Sequence, residues 1–108
     1  NFITKKRLPN MSLTKTQIKS LRSQAHHLKP VVMVGQNGLK DSILEELEIA
    51  LDFHELIKVK GAADKEERQE IAEELVHASK AELVQHIGQM IILFRRNPKK
   101  PKIILPSS

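Results

Sequence analysis

The stretch Val31-Val32-Met33-Val34-Gly35-Gln36-Asn37-Gly38-Leu39-Lys40 sets the organisation of the chain. Its first four residues are apolar and mostly β-branched, which suits a short buried strand. Gly35 and Gly38 then let the backbone turn sharply and let another backbone come close. From Leu39 to about Phe53 the apolar residues recur at helical spacing. Ile43, Leu44, Leu47, Ala50 and Leu51 form the stripe, and Glu45, Glu46 and Glu48 the wet side. A strand, a glycine turn and a helix in that order predict a strand–helix unit, and the alternation continues on both sides of it.

Upstream, Thr14 is placed to cap a helix, with Gln17 in the capping-box position. Ile18, Leu21, Ala25 and Leu28 make its stripe, Lys15, Lys19 and Arg22 lie on a neighbouring face, and Pro30 closes it. Downstream, Leu56-Ile57-Lys58-Val59-Lys60 alternates from Ile57 and reads as a strand ending at Gly61. Asp64 starts a third helix, with Glu67 in the box position and a stripe of Ile71, Leu75 and Ala78. Leu83 to Ile87 is a third strand. Gly88-Gln89 fits a tight hairpin turn, and Met90 to Phe94 is an apolar, central fourth strand. Ile103-Ile104-Leu105 can add a short last strand.

The expected fold is therefore α/β: a single compact domain in the order αβαβαββ, with three helices and a mixed four-stranded sheet. Helix–strand alternation predicts a mostly parallel core, and the final hairpin makes the sheet mixed.

One domain is what 108 residues allow. Met11-Ser12-Leu13-Thr14 reads like a natural start followed by a helix cap. Residues 1–10 are thus expected to be a flexible leader or added extension, residues 11–105 the domain, and residues 106–108 a tail. The chain has no Cys, which excludes disulfides and thiolate metal sites and fits a reducing compartment. No apolar run approaches the roughly 20 residues that span a bilayer. A cytoplasmic location is expected.

The formal net charge is +5, and its distribution is more telling than its size. Residues 1–40 hold eight Lys or Arg and no acid, residues 41–85 hold all thirteen acids, and residues 86–108 hold five bases and no acid. Two basic ends flank an acidic middle. A compact fold can gather the ends into one positive face, which attracts phosphate backbones.

The glycine loop offers the matching chemistry. A helix N-terminus behind it presents unpaired N–H groups and a positive dipole end. Gln36 and Asn37 are short and polar, and Lys40 adds charge. A lone G-x-x-G is weak evidence, and an ordinary strand-to-helix turn fits it as well. The nucleotide patterns G-x-x-x-x-G-K-[ST] and G-x-G-x-x-G are absent. A second basic cluster, Arg95, Arg96, Lys99, Lys100 and Lys102, follows the fourth strand, stiffened by Pro98 and Pro101. The three Phe, with no Trp or Tyr, leave few rings for base stacking. Phe53 and Phe94 lie in apolar patterns and are expected in the core. Backbone and shape are therefore the expected readout.

Nothing in the chain indicates an enzyme. His26 and His27 diverge on a helix, no H-E-x-x-H motif exists, and Ser12 and Ser79 lack an elbow motif. His77, near the third helix's stripe, reads as a half-buried surface histidine. No catalytic residue, metal site, cofactor or small-molecule substrate is expected.

Gly35-Gln36-Asn37-Gly38-Leu39, Gly88-Gln89-Met90-Ile91-Ile92-Leu93-Phe94-Arg95 and the opening Leu13-Thr14-Lys15 together resemble the CRM domain family. The closest resemblance is to its free-standing, bacterial, YhbY-like branch, over about residues 11–105. The resemblance implies an RNA-binding module with a KH-like GxxG loop. It also implies a fold similar to the C-terminal half of translation initiation factor three, and association with precursors of the large ribosomal subunit. The family's clamp loop carries over to Gly35, Gln36, Asn37 and Gly38, and its basic surroundings more loosely to Lys15, Lys19, Arg22, Lys29, Lys40, Arg95 and Arg96. Phe94 departs from the family pattern, where Tyr is common before the Arg.

The expected function is RNA binding, with ribosomal RNA as partner during ribosome assembly. The expected surface joins the first helix, the glycine loop and the loop after the fourth strand, with Lys99 and Lys100 adding counter-charge. An alternative is a protein-docking adaptor that offers the acidic face of helices two and three to ribosomal proteins.

Overall fold

The computed structural model of the chain describes residues 13–35, 38–61 and 64–107. Three helices and four strands follow one another as α1 (Lys15–Ala25), β1 (Val32–Met33), α2 (Asp41–His54), β2 (Leu56–Lys60), α3 (Lys65–Ser79), β3 (Glu82–Ile87) and β4 (Met90–Phe94). This is the expected αβαβαββ order. The capping box of α1 is complete: Gln17 N–H donates to Thr14 Oγ1 at 3.0 Å, and Thr14 N–H donates to Gln17 Oε1 at 3.0 Å. At α3, Asp64 accepts from Glu66 N–H at 3.1 Å.

The sheet order is β1-β2-β4-β3. β1 and β2 are parallel, while β4 is antiparallel to both β2 and β3. The core is therefore less parallel than the alternation suggests. The hairpin folds β4 back between β2 and β3, so only β1 and β2 meet as parallel neighbours. β4 is central, as its unbroken apolar run requires.

Alternation along β4 divides the core in two. Ile91 and Leu93 join Ile57, Val59, Val32 and Val34 beneath α2 and α3, whose Leu47, Leu51, Ile71 and Leu75 complete that layer. Ile92 and Phe94 face the other way, with Leu56, Val84 and α1's Leu21 and Ala25. Leu13, Ile18, Ile103 and Leu105 pack against this second cluster. One helix and the C-terminal tail cover one face of the sheet, and two helices cover the other.

Three local expectations change. Ile103-Ile104-Leu105 forms no strand, because side chains take its backbone groups. The Ile103 carbonyl accepts from Arg96, the Ile104 carbonyl from Gln24, and the Ile103 N–H donates to Glu55. Phe53 is 61% exposed rather than core, since it falls two residues past Leu51 and off α2's buried stripe. His77 and Ala78 are exposed, and Ser79 is buried instead. Its hydroxyl donates to the Leu75 carbonyl at 2.6 Å.

Candidate nucleic-acid interface

Strand direction decides which basic residues meet. β1 and β2 both end at the same edge of the sheet, where Met33 lies opposite Lys60. Because β4 is antiparallel, its first residue, Met90, also lies opposite Lys60 and opposite Ile87 of β3. The upper edge therefore collects the start of the glycine loop, the end of β2 and the Gly88-Gln89 turn. Gly61 N–H donates to the Gln89 carbonyl at 2.8 Å and ties two of these together.

Gly38 N–H donates to the Gly35 carbonyl at 3.1 Å, closing the glycine loop on itself. Gly38 has φ +75, a conformation that a side chain at this position would strain. Gly35 and Gly38 both have open space where a Cβ would sit, so the backbone there is sterically approachable. Gln36 and Asn37 lie outside the described residues. The loop feeds α2, whose N-cap, Lys40, makes no side-chain capping hydrogen bond. Lys would be a poor choice for stability alone at a position that favours Ser, Thr, Asp or Asn.

One side of α1 faces the sheet residues near this edge. Its exposed Lys19 and Arg22, with His26 and His27 past its end, line an open groove of about 520 Å³ against Lys58, Gln85 and Met90. No carboxylate is among the residues lining this groove. Lys15 is exposed in the first turn of α1 and Lys29 in the connection to β1, and neither lines the groove. The opposite face of the sheet carries the reverse charge. α2 and α3 hold ten of the thirteen acids, and Glu70, Glu73 and Glu74 line a shallow depression there with His77.

Arg95 and Arg96 are not at the upper edge. They follow Phe94, which pairs with Leu56 at the other end of β2, four strand residues and roughly 13 Å below Met90. Both guanidinium groups are engaged. Arg95 bonds Glu48 at 2.9 Å, Asp52 at 2.8 Å and the Ser79 carbonyl at 2.8 Å. Arg96 bonds Glu55 at 3.0 Å and the Ile103 carbonyl at 3.0 Å. The expected joining of the glycine loop to this cluster fails on strand direction. An antiparallel β4 delivers its far end to the base of the sheet. Lys99 and Lys100 are exposed at that base, and Lys102 Nζ sits 3.7 Å above the centre of the Phe53 ring.

Glu55, which no sequence motif marks, organises the base. It is fully buried and takes φ +65 at the C-cap of α2. Its carboxylate accepts from the N–H groups of Asn97 (2.5 Å), Lys102 (2.7 Å) and Ile103 (2.8 Å), and from Arg96. Burial pushes this carboxyl up. The Ile103, Asn97 and Lys102 N–H groups and the Arg96 guanidinium outweigh it and hold the group below its ordinary value of 4.5. The one available signal was an acid directly after a helix end, which many surface acids share.

Among the described residues, no cluster of His, Asp or Glu is arranged to hold a metal ion, and no helix is long and apolar enough to cross a membrane. The chain is 50% identical over 93 residues to a Pseudomonas aeruginosa protein described as a "probable RNA-binding protein", covering 85% of this chain and 89% of that one. It is 48% identical over 96 residues to an "RNA-binding protein" of Haemophilus influenzae, covering 88% and 96%. A Bacillus subtilis "probable RNA-binding protein" is 40% identical over 95 residues, covering 87% and 99%. The solution structure of a hypothetical protein from Staphylococcus aureus superposes with a TM-score of 0.77 at 35% identity, covering 88% of this chain and all of that one. The family model for the CRS1 / YhbY (CRM) domain matches residues 13–95, from the α1 cap through β4 to Arg95. With the glycine loop, the hairpin and the fold all inside that span, the chain belongs to the CRS1 / YhbY (CRM) domain family.

Proposed function

We propose that this protein binds RNA without catalysing a reaction, through the α1 side of the upper sheet edge, and that its target is ribosomal RNA in large-subunit precursors. The observation that carries the reading is the separation of charge by the sheet. Lys19, Arg22 and Lys58 line a groove free of carboxylates on one face, while α2 and α3 hold most of the acids on the other. Family membership and the descriptions of the relatives support the same class of ligand. In this reading Gly35 and Gly38 permit close approach of a ribose-phosphate strand. Gln36, Asn37 and the loop N–H groups bond phosphate or 2′-OH, and Lys15, Lys19, Arg22, Lys29 and Lys40 supply counter-charge. Arg95 and Arg96 hold the base of the domain together instead, and Lys99 and Lys100 lie outside the groove.

Crosslinking in cells followed by sequencing of the attached RNA tests the target. Enrichment of large-subunit ribosomal RNA is expected, and its absence from the crosslinked pool overturns the ribosomal assignment. Replacing Gln36 and Asn37 by Asp is expected to weaken binding strongly with the melting temperature preserved. Unchanged affinity reduces the loop to a turn.

A second reading has its own observation. Ile49 is 70% exposed on α2 beside Glu45, so the acidic face also carries an apolar element suited to a basic protein. An adaptor of that kind predicts that the purified protein binds no RNA.

A further inference from the structure

α1 covers only part of its side of the sheet. Its Leu21 and Ala25 lie over Leu56, Val84, Ile92 and Phe94. The uppermost row remains open. Met33, Lys60, Met90 and Ile87 stand side by side across all four strands, each paired with the next. All four project toward the α1 side, because Val32, Val59 and Ile91, one residue away, project into the core under α2 and α3. Met33 is 61% exposed and Ile87 58%. At the usual strand spacing the row spans about 14 Å. Single exposed hydrophobes are ordinary, but Met33 and Ile87 exposed at the two ends of a row that also holds Lys60 and the half-buried Met90, beside a cationic groove, make a mixed apolar and cationic surface suited to binding.

The charge around the row selects the occupant. Lys60 stands within it, Lys58 one step below, and Lys19 and Arg22 across the groove, with no carboxylate lining it. The ligand is therefore a polyanion, and one that also gains from apolar contact. A double helix presents phosphates outward and hides its base faces, so it would use the cations and leave Met33 and Ile87 in water. An unpaired strand exposes both. Thioethers make favourable contacts with π-systems, and Met33, at one end of the row, lies two residues before Gly35 of the glycine loop.

We propose that the Met33–Lys60–Met90–Ile87 row is a bed for unpaired nucleobases, so that the protein selects single-stranded RNA segments over helices. This rests on the RNA-binding reading and extends it from the phosphates to the bases. It also supplies, with aliphatic and thioether side chains, the base contact that the scarcity of aromatic residues argues against.

Fluorescence anisotropy with three probes tests it: labelled oligouridylate, a ribose-phosphate strand of equal length without bases, and oligouridylate annealed to oligoadenylate. The oligouridylate is expected to bind on the order of tenfold tighter than either of the others. The Met33→Thr/Ile87→Thr double variant keeps β-branched residues on the strands at exposed positions, and circular dichroism checks its fold. It is expected to lose that preference. Equal affinity of the native protein for all three probes, or a preference that survives the double variant, overturns the proposal and leaves phosphate binding standing. No binding to any probe overturns the RNA reading itself and this inference with it.

Discussion

Glu55 shows how one residue fixes a distant segment. Its burial would be costly without partners, since an unpaired charge in the interior loses its hydration. Three backbone N–H groups and Arg96 replace the lost water and pin residues 97–103 beneath the sheet. Glu55→Gln is expected to destabilise the domain by about 2–4 kcal/mol, because a neutral amide cannot accept all four bonds as strongly; urea unfolding measures it. The pH dependence has a definite sign. The folded state holds Glu55 below its ordinary value, so the unfolded chain takes up the proton first on acidification. Its stabilisation is complete above the unfolded value and is lost as pH falls through the folded one. Glu82, raised by burial, contributes oppositely: stability present below its ordinary value and lost as pH rises through the folded one. Unfolding curves from about pH 6 to about pH 3 should show a smaller acid loss in Glu55→Gln than in the native protein. Gly61 is a second residue fixed by packing. A Cβ there would meet Arg68 Cγ at 3.0 Å and Ile91 Cδ1 at 3.3 Å. Gly61→Ala is therefore expected to cost about 1–3 kcal/mol, read in the same unfolding experiment.

At the scale of elements, the start of α2 departs from the local capping rules that the other two helices follow. α1 and α3 begin with side-chain caps, but α2 begins with Lys40 and no cap. Lys40→Asp should stabilise the helix by about 1 kcal/mol and raise the melting temperature while lowering RNA affinity. A rise in both would remove Lys40 from the interface. The other elements were legible because periodicity and caps act locally: Thr14 with Gln17, the apolar run of β4, the glycine-first turn. The extra C-terminal strand was not. Ile103-Ile104-Leu105 has strand-forming residues, but its polar backbone groups bond to side chains of α1, the α2 C-cap and Arg96. Propensity cannot register such competition.

For the whole molecule, the sheet acts as a divider. Most carboxylates gather behind it on α2 and α3, and Lys19 and Arg22 of α1 stand before it with Lys58 of β2. Binding to unpaired RNA should weaken with salt, with a log–log slope of about −0.7 for each phosphate neutralised. Lys19→Glu should make that slope shallower and cost affinity across many RNA sequences alike, since phosphate contacts carry no sequence information. Lys99→Glu with Lys100→Glu, at the far end of the sheet, should change it little. A large effect from that pair would return the base cluster to the binding surface.

The order of elements, the glycine loop and the basic ends were written in the sequence, because helix caps, turn glycines and apolar periodicity depend on near neighbours. Which basic residues share a surface was decided only in three dimensions. An antiparallel β4 between β2 and β3 reverses the direction of the last strand, so it carries Arg95 and Arg96 away from the glycine loop and into carboxylates of α2. The same reversal brings Met90 and Ile87 beside Met33 and Lys60. The turn at Gly88-Gln89 reverses the last strand locally, but the strand that β4 then pairs with on its other side is a long-range property of the sheet, and no single segment encodes it.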